Sequence, residues 1–341
     1  MKTDLPEKTS KLDLFPTPKD LSLSQVMKRF SCEVDAREYL EAVRWPNGPV
    51  CPHCKNSDQK KIWKIHANVA KKVRPGLYRC AECNKEFTVT VGTIFEDSHI
   101  PLSKWLVAFY MMATAKKGIS ALWIQQNLGL GSYRTAWMMM HKIRHALKDP
   151  AFTAPLDGTL ECDETYINAL PRQRSGEKRP VKGFRKGSEK VPIVALVKRD
   201  GTVRTKVTPN VTQKNLRLFI GANADPNSTI NTDQSSLYYF LRGFKRHDRV
   251  NHAVKEYARH NPDGTISHVN SCESFFSLLK RGVYGSFHHV SKEHLPRYCD
   301  EFSFRWNHRD LNSGERFVAG LRRAEGKRLT YLSPIQKLNK K

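Results

Sequence analysis

No run of apolar residues in the 341-residue chain approaches the length needed to cross a bilayer. The opening stretch, MKTDLPEKTSKLDLFPTPKD, mixes charges and prolines where a signal peptide needs an apolar core. A cytoplasmic protein is expected. Acid is scarce, with 33 Asp+Glu against 58 Lys+Arg and a net charge of +25. Such an excess repels itself on a compact body unless polyanions are the partner, so nucleic acid is the expected partner. A polybasic membrane-surface protein would set its charge beside an apolar anchor, which this sequence lacks. Cysteine is sparse too, since eight in so long a chain do not make a disulfide framework. Four fall into close pairs while Cys32, Cys162, Cys272 and Cys299 stand alone, which suggests metal for the pairs and buried thiols for the rest.

What is present divides the chain. Residues 1–30 are expected to be a flexible start, although Ser22 to Trp45 carries a short helix pattern that Pro46, Gly48 and Pro52 break. Residues 31–95 read as a zinc ribbon, with the CxxC knuckles Cys51-Pro-His-Cys54 and Cys80-Ala-Glu-Cys83. Strand-like Leu77–Arg79 enters the second knuckle and Phe87–Val91 leaves it. Four thiolates suit tetrahedral zinc and leave no open position for catalysis, so the zinc (Zn2+) is structural. Lys60, Lys61, Lys64, Lys71, Lys72 and Arg74 on the intervening loop favour contact with DNA, or else form a solvated face.

Residues 96–150 turn helical in three runs, with Ser120 and Ser132 placed to cap the second and third. Gly129-Leu-Gly131 makes the tight connection of a helix-turn-helix unit. In the third run Ala136, Trp137, Met140, Ile143 and Leu147 form the inward stripe, which leaves Arg134, His141, Lys142 and His145 outside. Arg134 and Lys142 are the DNA-contact candidates. Met138–Met140 reads as core more than as an adaptable binding surface.

From residue 155 to 310 the texture becomes α/β. Strands are expected over Leu160–Ile167, Val191–Lys198 and Thr202–Pro209, the last two joined by Arg199-Asp-Gly201. A helix from Gln213 to Gly221, a strand ending at Asp233 and a long helix from Lys292 to Trp306 follow. A basic loop, 171–190, interrupts this order and cannot build a core. Its Arg172, Arg174, Lys182, Arg185 and Lys186 suit a phosphate-contacting arm. Residues 311–341, with Arg322, Arg323, Lys327 and Arg328, are expected to be a peripheral basic tail.

Two acids fall at strand ends, Asp163 and Asp233, and a helix over HVNSCESFFSLLKRG presents Asn270, Glu273, Ser277 and Lys280 at helical spacing. Phosphodiester chemistry uses carboxylates so arranged, because two divalent cations shared between them activate the attacking oxygen and stabilise the leaving one. Period-2 alternation also puts Glu161 on the side of Asp163, so the assignment within Glu-Cys-Asp-Glu stays open.

The order of ribbon, helix-turn-helix, Glu-Cys-Asp-Glu-Thr-Tyr, Asn-Thr-Asp and His-Val-Asn-Ser-Cys-Glu resembles the bacterial insertion-sequence transposases related to the eukaryotic Merlin elements. The likeness runs from about Arg37 to Thr330 and takes in Phe-His-His-Val-Ser291 and Phe-Arg-Trp-Asn-His308. It implies a ribonuclease-H-like catalytic domain of the DDE superfamily, which cuts element ends and joins 3′ hydroxyls to target DNA with Mg2+ or Mn2+. Asp163 and Asp233 match its first two acids. The third position is Asn270 by the family's description and Glu273 by that of wider DDE enzymes, each followed by Lys280, which with Arg281 is expected to hold DNA phosphate. Terminal inverted repeats and target DNA are the implied partners, a homodimer or higher homo-oligomer the implied assembly, and the nucleoid the implied location. A non-catalytic DNA-binding regulator and a metal-dependent DNA nuclease are the alternatives.

Overall fold

The structure is a computed structural model that describes residues 21–149, 154–169, 189–199, 201–251, 254 and 256–330. The backbone contacts divide it into two compact units. One comprises the residues up to Thr114, Ala121–Leu147 and those from Leu311 on; the other comprises Ala115–Ser120 and Lys148–Asp310.

The helix pattern over Ser22 to Trp45 forms two helices, α1 (Leu23–Arg29) and α2 (Glu33–Arg44). Each starts at a side-chain cap: Ser22 Oγ accepts from Gln25 N at 3.4 Å, and Cys32 Sγ accepts from Asp35 N at 3.4 Å. Val26 and Phe30 are buried, so the end of the expected flexible start is core. The ribbon follows as an antiparallel sheet of β1 (Ile62–Ile65), β2 (Leu77–Cys80) and β3 (Glu86–Phe87). β3 is shorter than the expected Phe87–Val91, because the chain turns at once and Val91 N donates to Thr88 O at 3.1 Å. Trp45, Tyr78 and Phe87 pack with ring centroids 5.5 to 5.8 Å apart, which joins α2 to the ribbon.

The three expected helices are α3 (Leu102–Thr114), α4 (Ala121–Asn127) and α5 (Tyr133–Leu147). The first amides of α3, on Leu102 and Ser103, donate to the Glu33 carboxylate at 2.9 Å each. Gly129 turns the α4–α5 connection at φ +56°, a left-handed value that glycine adopts without strain. Ser132 Oγ then caps α5 by accepting from Thr135 N at 3.1 Å. On α5 the expected outward set needs correction. Arg134 is exposed, but His141 is fully buried, and Lys142 is half-buried with its ammonium 5.9 Å from the Trp105 ring centroid. Helix α5 is covered on more than one side, so a single apolar stripe could not define its interior. Met139 and Met140 are core and Trp137 is only half-buried.

In the second unit β4 (Thr159–Ala169), β5 (Glu189–Lys198) and β6 (Val203–Val207) pair antiparallel in succession. After α6 (Gln213–Asn223) the chain adds β7 (Thr229–Asp233) parallel to β4. After a 3₁₀ segment, Ser236–Gly243, it adds β8 (Arg246–Val250) parallel to β7. The sheet order is β6-β5-β4-β7-β8, the ribonuclease-H-like order. A small hairpin, β9 (Arg259–His260) with β10 (Ile266–Ser267), leads into α7 (Asn270–Arg281), a π-helical turn Gly282–Ser286 and α8 (Leu295–Asn307).

Alternation along β4 and β5 feeds two cores. Ile167, Val191, Ile193 and Ala195 meet Phe275, Phe276 and Leu279 of α7 and Phe302 of α8 on one face. Leu160, Cys162, Val194 and Leu196 meet Leu216, Phe219 and Ile220 of α6 and Tyr238 on the other. Cys162, Cys272 and Cys299 are buried as expected, while Cys32 is exposed at its helix cap.

The chain then returns to the first unit with α9 (Ser313–Arg322), which corrects the expectation of a peripheral tail. Phe317 is fully buried between Phe30, Tyr39, Phe109 and Tyr110, with centroids 5.8 to 6.3 Å away. Two of the tail's cations close the end of α5: Arg323 Nη1 donates to Leu147 O at 3.3 Å and Lys327 Nζ to Ala146 O at 2.7 Å.

Candidate active site

β4 is the central strand, and its side chains alternate between the two cores. Glu161 and Asp163 face α7 with Ile167, whereas Leu160, Cys162 and Glu164 face the other way. Along the parallel β4–β7 pair, Glu161 lies opposite Asn231. Two residues further on each strand, Asp163 and Asp233 reach equivalent positions; Asp233 ends β7 as expected, whereas Asp163 lies within β4 and not at its end, because β4 runs on to Ala169 in its pairing with β5.

The acids there feel one another. Burial pushes Asp163 up to about 7; the amide of Glu164, donating to Asp163 Oδ1 at 2.8 Å, opposes the rise, and the charges of Glu164, Asp233 and Glu273 add to it. Glu164 is also raised by burial, while the Tyr238 hydroxyl donating to it at 2.5 Å works the other way. Asp233 Oδ1 accepts from Ser235 N at 3.1 Å. Beside it, Thr232 Oγ1 lies 2.9 Å from His247 Nε2, and burial, then Arg249, lower His247 to about 4, so this imidazole is neutral at neutral pH.

Helix α7 brings the remaining candidates. Asn270 opens the helix with an exposed side chain, and Glu273 follows one turn later, also exposed, with its charge in Coulombic reach of Asp163. Lys280 is half-buried near the other end of α7. Arg281 is exposed, and its guanidinium donates to Ser277 O at 3.2 Å and Ser277 Oγ at 3.0 Å. These two cations line a cleft of about 670 Å³ with Lys117, Tyr284, Gly285 and Ser286. Arg172, Arg174, Lys182, Arg185 and Lys186 lie outside the described residues.

Two donor sets of different chemistry result. Among the described residues, the four ribbon cysteines are the group whose ligand atoms all lie within 4.8 Å of one another. Cys51 and Cys83 Sγ are 3.6 Å apart, as are Cys54 and Cys80 Sγ. A zinc tetrahedron with bonds of about 2.3 Å has edges of roughly 3.8 Å, so the thiolates fit the ion. The acids of the sheet, Asp163 and Asp233, and Glu273 of α7 are spread more widely and offer hard carboxylate oxygens, which suit Mg2+ or Mn2+.

Three residues were not assigned roles from the sequence. Glu161 is fully buried and accepts hydrogen bonds from the start of α7, which separates it from Asp163 although the two share a strand face. Tyr238 holds Glu164, and Tyr284 Oη accepts from Asn168 N at 3.1 Å at the end of β4. Only the shared parity of Glu161 and Asp163 was visible beforehand.

A ribonuclease-H-like sheet with Asp163 and Asp233 on neighbouring parallel strands, in a chain with a four-cysteine ribbon, is consistent with the transposase class. The family model of the ISXO2-like transposase domain matches residues 155–307, and that of the transposase zinc-ribbon domain matches residues 31–86. The chain belongs to the ISXO2-like transposase family. It is similar to an uncharacterized protein in transposable element ISH50 of Halobacterium salinarum, 28% identical over 300 residues that span 82% of this chain and 92% of that protein. An uncharacterized transposase-like protein of Haemophilus influenzae is 30% identical over 112 residues, 33% of this chain and 85% of that protein. Among solved structures, a pre-cleavage Mos1 transpososome aligns over 65% of this chain and 79% of that one at 12% identity and a TM-score of 0.25. A simian T-cell lymphotropic virus intasome aligns over 57% of this chain and 66% of that one at 14% identity and a TM-score of 0.27. Overlaps that partial do not bear on the fold, which rests on the sheet order and the family match.

Proposed function

We propose that this transposase binds the terminal inverted repeats of its element, cleaves the ends and joins the 3′ hydroxyls to target DNA at the site of Asp163 and Asp233. The observation that carries the reading is the equivalent placement of these two acids on adjacent parallel strands, with Glu273 in Coulombic reach. Asp163 and Asp233 would hold the Mg2+ or Mn2+ ions, with Asn270, Glu273 or both completing the set from α7. Bound there, the ions supply charge neutralisation and an activated oxygen nucleophile for phosphoryl transfer. The chain's own residues do the rest. The strands hold the two acids at fixed spacing, and α7 carries the third position on a rigid rod. Lys280 and Arg281, in their cleft, bind phosphate and so draw the DNA strand along α7.

For end binding, α4, the glycine turn and α5 act as the helix-turn-helix, with exposed Arg134 as a phosphate contact, and the zinc ribbon adds its basic loop. Lys142 contributes less than expected, because it is half-buried and its ammonium lies 5.9 Å from the Trp105 ring centroid. The basic residues Arg172, Arg174, Lys182, Arg185 and Lys186 contact DNA phosphate. Two ends must be held together for joining, so the working form is a homodimer or larger assembly, acting at the nucleoid.

Asp163→Asn and Asp233→Asn, assayed separately on DNA carrying an element end, test the reading. Strand cleavage and joining should vanish while end binding survives. Cleavage that persists in both variants would remove this site from consideration, and cleavage without joining of a supplied 3′-hydroxyl end would make the protein a nuclease.

A further inference from the structure

Glu161 is a fully buried carboxylate, and a buried charge is costly unless donors surround it. Here they do. One oxygen accepts from Ser271 N at 2.7 Å and from Cys272 N at 3.4 Å. The other accepts from Ser271 Oγ at 2.9 Å and Arg199 Nε at 3.2 Å, with His268 Nδ1 at 3.1 Å. Both oxygens are occupied by protein donors, so Glu161 is not a metal ligand.

Its partners explain its place. The first amides of a helix need acceptors from outside it. Helix α7 has no local one, because the residue before it is Val269, which makes no side-chain capping bond. Glu161 supplies the acceptor from another element and adds negative charge at the positive end of the helix dipole. Arg199 extends the tie, since its Nη1 donates to Ile266 O at 2.8 Å, on the strand that leads into α7.

We infer that Glu161 is the positioning residue of the active site: it fixes the register between the strand that carries Asp163 and the helix that carries Asn270 and Glu273. The geometry is direct. Glu161 is two residues from Asp163 on the same strand face, and the residues it binds, Ser271 and Cys272, lie between Asn270 and Glu273. One carboxylate thus joins the two halves of the acidic set without touching substrate or metal. The inference rests on the proposed phosphoryl-transfer site, and its test has an arm that does not.

Glu161→Gln keeps the shape but turns one acceptor into an amide donor. In the metal-free protein, amide hydrogen exchange at Ser271 and Cys272 should quicken at least about tenfold, the size expected for losing a charge-assisted hydrogen bond. Cleavage should then need a half-saturating Mg2+ concentration raised by about tenfold or more, with element-end binding within about twofold of the original. Glu161→Asp, which keeps the charge on a shorter stem, should restore part of both effects. Unchanged exchange, or slower cleavage with an unaltered Mg2+ requirement, would reduce Glu161 to an ordinary structural residue and overturn the inference. Should Glu161→Gln not fold, Ser271→Ala, which removes a single donor, must raise the Mg2+ requirement in the same direction, and no rise would overturn the inference equally. If the original protein does not cleave at all, the proposed function fails while the exchange arm still decides whether Glu161 holds α7.

Discussion

Replacing Asp163 by asparagine should abolish cleavage and, in the absence of divalent metal, make the protein more stable. Burial together with Glu164, Asp233 and Glu273 raises the folded-state pKa from 3.8 to about 7. A carboxyl raised in this way is still protonated in the folded state between about pH 4 and 7 and ionised in the unfolded chain. Stability therefore falls as pH climbs through that window, and above it the full penalty applies. At 1.36 kcal/mol per pKa unit the penalty is about 4 kcal/mol, an upper bound because water and counter-ions screen a group that is not wholly enclosed. Asparagine carries no charge and its Oδ1 can keep the bond from Glu164 N. We expect Asp163→Asn to gain about 1–3 kcal/mol at pH 8 in EDTA, or roughly 2–4 °C in Tm per kcal/mol, and almost nothing at pH 4. Adding Mg2+ should then raise the Tm of the original protein and not that of the variant. Differential scanning calorimetry at the two pH values, with and without metal, measures all four states. A variant no more stable at pH 8 than the original, or a gain that does not change with pH, would refute the cost of burying this charge among its neighbours.

Chelation of zinc, or Cys80→Ser, should unfold the ribbon and abolish end binding, since metal-binding energy is folding energy in such modules; elemental analysis should find one zinc per chain on the order of the four-cysteine site. Gly282→Ala should cost about 1–3 kcal/mol, because its Cβ would stand 2.1 Å from Phe302 Cζ and 3.0 Å from Lys117 O, and urea melts would record the loss. Phe317→Ala should cost about 3–5 kcal/mol in the first unit and weaken end binding, whereas a peripheral segment would show no change in either the melt or the binding isotherm.

Local chemistry was legible in the sequence and distant chemistry was not. Cys51, Cys54, Cys80 and Cys83 announce their site because each CxxC pair is a neighbour relation. Alternation over β4 and the 3.6-residue rhythm of α7 likewise placed Asp163, Asn270 and Glu273 on the right elements. β8 escaped because Arg246–Arg249 are half-exposed and polar, leaving Val250 as its one buried residue and no alternation to read. The buried stripe of α9, Phe317, Val318 and Leu321, was masked by the surrounding arginines. His141 was placed on the wrong side because a helical wheel records one apolar face and says nothing of a second neighbour. Glu161 could be put on its strand face, but its bond to Ser271 spans 110 positions and exists only once the sheet and α7 have met.

The late return of the chain also governs the order in which the protein can be completed. On the ribosome α1, α2 and α3 emerge first, yet the aromatic ring at their centre, Phe317, is translated after the entire second unit. The nascent first unit must wait with that core position open until the last helix is delivered. A chain broken before Ser313 therefore leaves the aromatic core of the first unit without its central ring.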